Sequence, residues 1–434
     1  MTNNSMPRRL RVLMSAYACE PGKGSEPGVG WNLAKAMAKR HDVWVLTRAN
    51  NRPVIEGELA ERPVPNLHFL YYDLPRWARW WKRGGRGVQA YYYLWQLSAA
   101  RIARSAHAKL AFDIAHHVTF VKYWAPAAAG FAGIPFVWGP VGGGESMPRS
   151  FLHGLSRRSK IHEWARLVAW RLSEFDPWVR TTARRAKIAV GTTPETVGKL
   201  RKITRCPLME LSQVAITSEE WACAETHRRI HKDDGFVFLS AGNLLGLKGY
   251  HLAIRAFAQA DLPDARYVIL GDGPEKGNLK ALAKELDVQD RVEIVGAVPR
   301  PEVLERLGHA NIFLHPSLHD SGGWATLEAM AAGLPVICLD IGGPAVQVNS
   351  KVGRKIAAIN PDQAVDDLSK AMRELTTDPD LRSRLGEAAR QHVASEFTWE
   401  SKVEKLSQVY EQVLADVSEN RSTLAEQASH SALK

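Results

Sequence analysis

The sequence predicts an α/β protein made of two Rossmann-like, doubly wound parallel sheets. Strand-like and helix-like segments alternate twice along the chain, which is the rhythm of parallel-sheet units. The 434 residues, 45% hydrophobic and 24% charged, are enough for two or three domains. A polar stretch at 212–234, "SQVAITSEEWACAETHRRIHKDD", separates the two series and marks the boundary, placing a first domain at residues 1–215 and a second at 216–385.

In the first series, "RLRVLMSAY", "DVWVLTR", "NLHFLYYD", "FDIAHHV" and "PFVWGPV" read as buried strands, with "GVGWNLAKAMAKR" among the helices between them. In the second, "GFVFLSAG", "RYVILGDG", "RVEIVGAV", "ANIFLHPS" and "LPVICLD" are strands. They alternate with the helical "GYHLAIRAFAQ", "NLKALAKELD", "PEVLERLG" and "WATLEAMAA". Helices are expected to continue beyond residue 382, and residues 419–434 are polar enough for a frayed tail.

No run of about twenty apolar residues occurs, and the start passes directly into a strand pattern without a signal peptide's apolar core, so a cytoplasmic location is expected. Cys19, Cys206, Cys223 and Cys338 have neither disulfide nor zinc spacing and read as reduced packing residues. The net charge of +11 is concentrated. Residues 76–109 carry eight Lys or Arg and no acid, interleaved with Trp and Tyr, and a second basic stretch spans Arg149 to Lys187. Arginine with tryptophan suits an anionic membrane surface, and that partner is the expectation. A nucleic-acid groove has a similar composition and is disfavoured, while a solvated face over an aromatic core is the plainest alternative.

The richest local pattern is "SLHDSGGWATLEAMAAGLPVICLD", residues 317–340. Ligands of open α/β sheets bind beyond the carboxyl ends of strands, so residues 316–324, following "NIFLHPS", belong at a ligand's edge. Gly322 and Gly323 let a phosphate approach the backbone, and the first N–H groups of the helix, on Trp324, Ala325 and Thr326, suit its charge. Asp320 before the glycines and Glu328 one turn into the helix can each accept hydrogen bonds from sugar hydroxyls. Either acid alone also fits a structural part: Asp as turn former or cap, Glu as a first-turn partner of the helix dipole.

The same segment resembles the signature of glycosyltransferase family 4, in which an acid, seven residues and a Glu precede a small-residue helix and a "GLPVI" strand. The resemblance implies the GT-B fold: two Rossmann-like domains facing a cleft, acceptor contacts in the first, donor contacts in the second, and closing helices, here 386–418, that cross back to the first. Asp320 and Ser321 fall at the donor sugar, with Asp in place of the usual Glu, and Glu328 falls at the ribose. "SAGNLLGLKGYHLAIRAF" resembles the segment that sets cations against the diphosphate; Lys248 matches and Asn243 stands where Arg is usual. "GAV", including Gly296 and Val298, resembles the loop against the nucleotide base, and "GGPAVQV" from Gly342 the loop near the donor sugar, without its customary acid.

In the first domain, "CEPGKGSEPGVGW" resembles the family's glycine-rich loop, with Gly28 as the close-contact glycine and Gly24, Ser25 and Glu26 on the acceptor side. "FDIAHHVTF" resembles the strand that delivers a catalytic histidine; His117 is preferred, His116 competes, and Thr119 lies beside them. For a histidine facing the core, a buried neutral packing residue is the plain alternative.

The resemblance implies a retaining hexosyltransferase that uses a nucleotide-diphosphate sugar as donor substrate, and the basic aromatic face suggests a lipid-linked, envelope or exopolysaccharide acceptor at the inner face of a membrane. Catalysis then consists chiefly of placement and of stabilising the departing diphosphate. The Asp-x-Asp spelling at Asp378 and Asp380 precedes a helical pattern and reads as a cap with a first-turn proline, so no metal or other cofactor is expected. A nucleotide-sugar epimerase or a non-catalytic basic binding protein are the rivals. An oxidoreductase is disfavoured because "PGKGSEPGVG" lacks the G-x-G-x-x-G turn.

Overall fold

A computed structural model describes residues 8–82, 87–120, 122–152, 161, 164, 167–168, 170–227 and 235–432. Parts of both basic stretches (83–86; 153–160, 162–163, 165–166, 169) and part of the expected boundary (228–234) lie outside the described residues. The chain forms two units, one of residues 1–144, 169–213 and 399–434, the other of 145–168 and 214–398.

The first unit holds β1 (Arg11–Ala16), β2 (Asp42–Arg48), β3 (Leu67–Tyr72), β4 (Ile114–Thr119), β5 (Phe136–Val141), β6 (Ala186–Gly191) and β7 (Leu208–Glu210) in the order β3-β2-β1-β4-β5-β6-β7. All pairings are parallel. β4 and β5 are buried along their whole length; β5 reads as a near-continuous apolar run, while β4 buries His116, His117 and Thr119 as well. The helix Val88–Leu110 seats Tyr91, Tyr92, Trp95, Ala99 and Ala103 in the core at helical spacing. The order of strands reverses between β1 and β4, whose carboxyl ends form the switch point.

The second unit holds β8 (Phe236–Ala241), β9 (Ala265–Leu270), β10 (Val292–Gly296), β11 (Ile312–His315), β12 (Val336–Leu339) and β13 (Gly353–Ile356), ordered β10-β9-β8-β11-β12-β13 and again parallel. Its switch point lies between β8 and β11. β6, β7 and β13 were not expected from the sequence. β6 begins within the basic run "TTARRAK", and β7 and β13 are edge strands of only three and four residues, each including charged positions.

Three boundaries differ from the sequence reading. Residues 145–168 group with the second unit, where Met147 and Phe151 join the core. The helix Pro379–Glu396 also stays there: Gly386 packs so closely that a Cβ would lie 2.2 Å from the Gly333 carbonyl, and Arg390 donates to the Ala331 carbonyl at 2.7 Å. Only the helix Trp399–Ala432 belongs to the first unit, where Ser407 meets His41 at 2.9 Å and Tyr410 meets His116 at 2.6 Å. That helix continues through residues 419–432, which the sequence reading left as a frayed tail.

Candidate functional site

The second unit's switch point is built from two turns held together. Leu318 N–H donates to the Leu247 carbonyl (2.9 Å), joining the turn after β11 to the turn after β8. Gly249 adopts φ +69°, and a Cβ there would lie 1.9 Å from the Pro316 carbonyl, so only glycine permits this approach.

Asp320 is the hub. Its Oδ1 accepts from the N–H groups of Gly322 (3.1 Å) and Gly323 (2.9 Å), while Oδ2 accepts from Lys248 Nζ (2.6 Å) and lies 3.2 Å from His315 Nε2. Its backbone carbonyl accepts from Gly343 N–H (2.7 Å). Burial disfavours the Asp320 carboxylate, but Lys248 and His315 outweigh it and hold the acid well below the usual carboxylate range. An aspartate reaches amides two and three residues ahead in its own turn, which accounts for Asp here. In this conformation Asp320 is a turn former, and both its oxygens and Lys248 are engaged with each other.

Gly323 takes φ +65° and starts the helix Trp324–Ala331. Thr326 N–H is already bonded to the Gly323 carbonyl (3.1 Å), leaving the amides of Trp324 and Ala325 without a hydrogen-bond partner among the described residues. Around this turn, Gln347 Nε2 donates to the Gly322 carbonyl (2.6 Å) and Ser321 Oγ donates to Glu145 Oε2 (2.6 Å). The Gly342 loop packs onto it so tightly that a Cβ on Gly343 would lie 2.6 Å from the Ser321 carbonyl.

Glu328 sits one turn into the helix, buried, and pairs with Arg300, which also pairs with Glu220 and lies 5.3 Å from the centre of the Trp324 ring. Glu220 is itself fixed by a reciprocal cap: Thr217 N–H donates to Glu220 Oε2 (2.7 Å) and Glu220 N–H to Thr217 Oγ1 (3.0 Å). Burial raises the Glu328 carboxyl to about 7, with Arg300 opposing the rise and Glu220 adding to it. Asn243 is exposed at the end of β8, and Gly296 (φ +111°) and Val298 follow β10 on the same edge of the sheet.

Glu145, Glu220, Arg300, His315 and Gln347 were missed by sequence reasoning. Only one carried a usable signal: "TSEE" at 217–220 has the spacing of a capping box.

In the first unit, the expected residues gather at the carboxyl ends of β1 and β4. Thr119 Oγ1 donates to the Ala18 carbonyl (2.9 Å) and accepts from Ala18 N–H (3.1 Å), and Glu26 Oε2 accepts from Phe120 N–H (2.9 Å). Burial pushes the Glu26 carboxyl up. Gly24 precedes the helix Ser25–Ala38, Ser25 is at φ +59°, and Gly28 is a buried position within that helix. Gly28 was expected in the loop and lies in the helix; two residues on, a Cβ at Gly30 would lie 2.2 Å from the Ala18 carbonyl.

His116 and His117 point to opposite faces of β4, as successive strand residues must. His116 has both ring nitrogens engaged, with the Gly139 carbonyl and with Tyr410, which makes it a packing residue and not a reachable group. His117 Nε2 lies 3.2 Å from Tyr92 Oη, and its Nδ1 has no partner among the described residues. Burial lowers His116 to about 4 and His117 to about 3, so both are neutral near pH 7.

Asp378 caps the helix Pro379–Glu396, accepting from Leu381 N–H at 2.8 Å. All four cysteines are free. Among the described residues, no helix is long and apolar enough to cross a membrane.

Residues 224–392 match the Glycosyl transferases group 1 family, a span that includes both turns of the second unit's switch point. A D-inositol 3-phosphate glycosyltransferase of Kribbella flavida is 32% identical over 180 residues, covering 39% of this chain and 42% of that protein. A GDP-mannose-dependent monoacylated alpha-(1-6)-phosphatidylinositol monomannoside mannosyltransferase of Corynebacterium glutamicum is 33% identical over 175 residues, covering 38% and 44%. The chain thus spans less than half the length of these two relatives. In fold it is similar to a sucrose-phosphate synthase from Thermosynechococcus elongatus, with a TM-score of 0.66, 19% identity, and coverage of 94% of this chain and 100% of the other. The two parallel-sheet units are those of a GT-B glycosyltransferase fold.

Proposed function

We propose that the protein is a retaining hexosyltransferase of family 4. In this reading it moves a sugar from a nucleotide diphosphate to an acceptor hydroxyl in the synthesis of a lipid-linked or envelope glycan, at the inner face of a membrane. The observation that carries the reading is the convergence, at one switch point, of Lys248, two unpartnered helix amides and Glu328. A diphosphate needs cationic and N–H donors; a ribose needs an acceptor about one helical turn away. The group 1 match over residues 224–392 supports the same placement.

The chemistry follows from those groups. Breaking the bond from the anomeric carbon to the diphosphate leaves negative charge on phosphate oxygens, and the amides of Trp324 and Ala325 with Lys248 stabilise it. Lys248 must exchange its Asp320 contact for the phosphate, or share it. Retention corresponds to attack from the leaving-group face, with a phosphate oxygen taking the acceptor's proton. With positive charge supplied by Lys248 and the helix start, the reaction proceeds without a metal. The first unit is assigned the acceptor, through Gly24, Ser25, Glu26, Thr119 and His117.

A lipid-bearing acceptor is supported by the basic aromatic composition of the first unit and by a relative whose acceptor is a phosphatidylinositol mannoside. The test is transfer itself: UDP-, GDP- and ADP-hexoses are incubated with lipid-linked and soluble acceptors, and the product's anomeric configuration is read by NMR. Retained configuration with one donor series, unaffected by chelator, is expected. An inverted product, a chelator-sensitive reaction, or epimerised donor without transfer overturns the corresponding part of the proposal.

A further inference from the structure

The helix Val88–Leu110 has a second stripe, opposite its core face, that neither sheet packing nor the proposed donor chemistry uses. Leu94, Leu97, Ser98, Arg101 and Arg104 are linked by spacings of three and four residues (Leu94 to Leu97 and Ser98, Leu97 to Arg101, Arg101 to Arg104), so they share one face. Together with Leu74, Ala78, Phe131 and Trp178 they line a groove of about 550 Å³. Such a volume is in the range of small-ligand sites, and the groove is apolar at its Leu94–Leu97 end.

Large apolar side chains close in sequence to the lining residues Ala78 and Trp178 are open to solvent. Trp77 and Trp80 are 78% and 74% exposed, and Phe175 is 71% exposed, among the most open large apolar side chains of the first unit. The segment carrying Phe175 and Trp178 is tied to the helix by Tyr93 Oη donating to Asp176 (2.6 Å), and Trp178 contacts Phe131 at 5.9 Å between ring centres. Tryptophan and arginine around an apolar trough suit the boundary between lipid headgroups and acyl chains.

The charge is complementary to an anionic lipid. No Asp or Glu occurs in Val88–Leu110. Arg104 spends Nε on the Phe131 carbonyl (2.7 Å) and Arg79 pairs with Asp73 (3.4 Å), whereas Arg76 and Arg101 are exposed and have no partner among the described residues. Arg101 lies one to two helical turns from the leucines, so a chain lying along Leu94 and Leu97 brings its headgroup to a free guanidinium.

We infer that this groove is a binding site for one hydrocarbon chain of an anionic membrane lipid, with Arg101 at the headgroup. The inference deepens the membrane part of the proposed function and rests on it, but it needs nothing from the donor site. A site of this kind anchors the first unit to the surface by a single lipid seated in a groove, in addition to diffuse attraction by basic residues.

The experiment uses the full-length chain and vesicles of phosphatidylcholine, with and without phosphatidylglycerol, including a phosphatidylglycerol with a photoreactive group midway along one chain. Cosedimentation and the position of the photolabel are read for the wild type, Leu97→Glu, Leu94→Ser and Arg101→Glu. Thermal melting and nucleotide-sugar binding are followed in the same preparations as controls on folding and on the donor reading. Binding should require the anionic lipid, weaken more than tenfold in Leu97→Glu and at least about fivefold in Arg101→Glu, the loss of one basic residue near the surface setting the lower bound. The label should map to residues 94–104 and 178. Label confined to other segments overturns the inference, as does vesicle binding that Leu97→Glu and Leu94→Ser leave unchanged, or a groove protected by dimerisation with no lipid present. Absence of vesicle binding by the wild type, with sugar-nucleotide binding intact, overturns this inference and leaves the glycosyltransferase reading standing.

Discussion

Lys248 Nζ meets Asp320 Oδ2 at 2.6 Å, joining the turn after β8 to the turn after β11 in the second unit. The same carboxylate is bonded to the amides of Gly322 and Gly323, so one side chain fixes the glycine turn and holds the lysine proposed for the diphosphate. Asp320→Asn is expected to lower stability by about 3 kcal/mol, the scale for removing one partner of a largely buried pair. Because the folded acid is held below its unfolded value, its contribution is present above about pH 3.9 and is lost as pH falls through the depressed value. Urea unfolding at pH 7 and pH 3 checks this: the gap between wild type and variant should narrow at the lower pH.

Gly249 tests the join between the turns by sterics alone. With φ +69° and a Cβ position 1.9 Å from the Pro316 carbonyl, Gly249→Ala must move backbone. A loss of roughly 3 kcal/mol or more is expected, above the usual cost of adding a methyl group to a packed site. Gly277→Ala, where a Cβ meets nothing within 4 Å, is the control for melting temperature.

Glu328 gives the opposite pH dependence from Asp320. Its carboxyl is raised by burial to about 7, so between roughly pH 4.3 and 7 the folded state holds more protons than the unfolded one, and stability falls as pH rises. Glu328→Gln removes that slope, gaining on the wild type by up to about 3 kcal/mol between pH 4.5 and pH 8. If the ionised form receives the ribose, donor affinity of the wild type rises through pH 7 while that of the variant stays low. Paired denaturation and binding titrations across this range measure both.

Arg300 is the group that keeps Glu328 ionisable, bridging it to Glu220 on the capped helix. On the same capped helix Glu225 pairs with Arg390. Arg300→Met should move the pH midpoint of donor binding upward and weaken binding at pH 7 about tenfold, while Arg300→Lys recovers part of both. A merely structural arginine would lower the melting temperature without moving the midpoint.

The legibility of this protein in its sequence divides by the range of the interactions. The buried parallel strands, such as "FVWGPV" and "FVFLSA", announce themselves because both faces are covered. The glycine turn at 322–323 and the cap at Asp378 are local and were equally plain. β13 and β7 are short edge strands whose pairing is decided by their neighbours. The return of Trp399–Ala432 without Pro379–Glu396 depends on packing: Gly386 against Gly333 in one case, Tyr410 against His116 in the other. At the candidate site, the sequence supplied Lys248, Asp320 and Glu328 but not their mutual pairing. Arg300, 28 positions before Glu328, and Glu145, 176 before Ser321, reach them only through the fold.

The central proposal is that Lys248, the helix start at Trp324 and Glu328 hold a nucleotide-diphosphate sugar. Its most direct test is calorimetric titration at pH 8 of UDP-, GDP- and ADP-sugars into the wild type, Lys248→Met and Glu328→Gln, each shown to be folded. The expected result is binding of one nucleotide series by the wild type, weakened about tenfold or more in each variant, in keeping with the loss of a charge-assisted contact. Binding of none of the three series, or binding that both substitutions leave unchanged, would contradict the assignment.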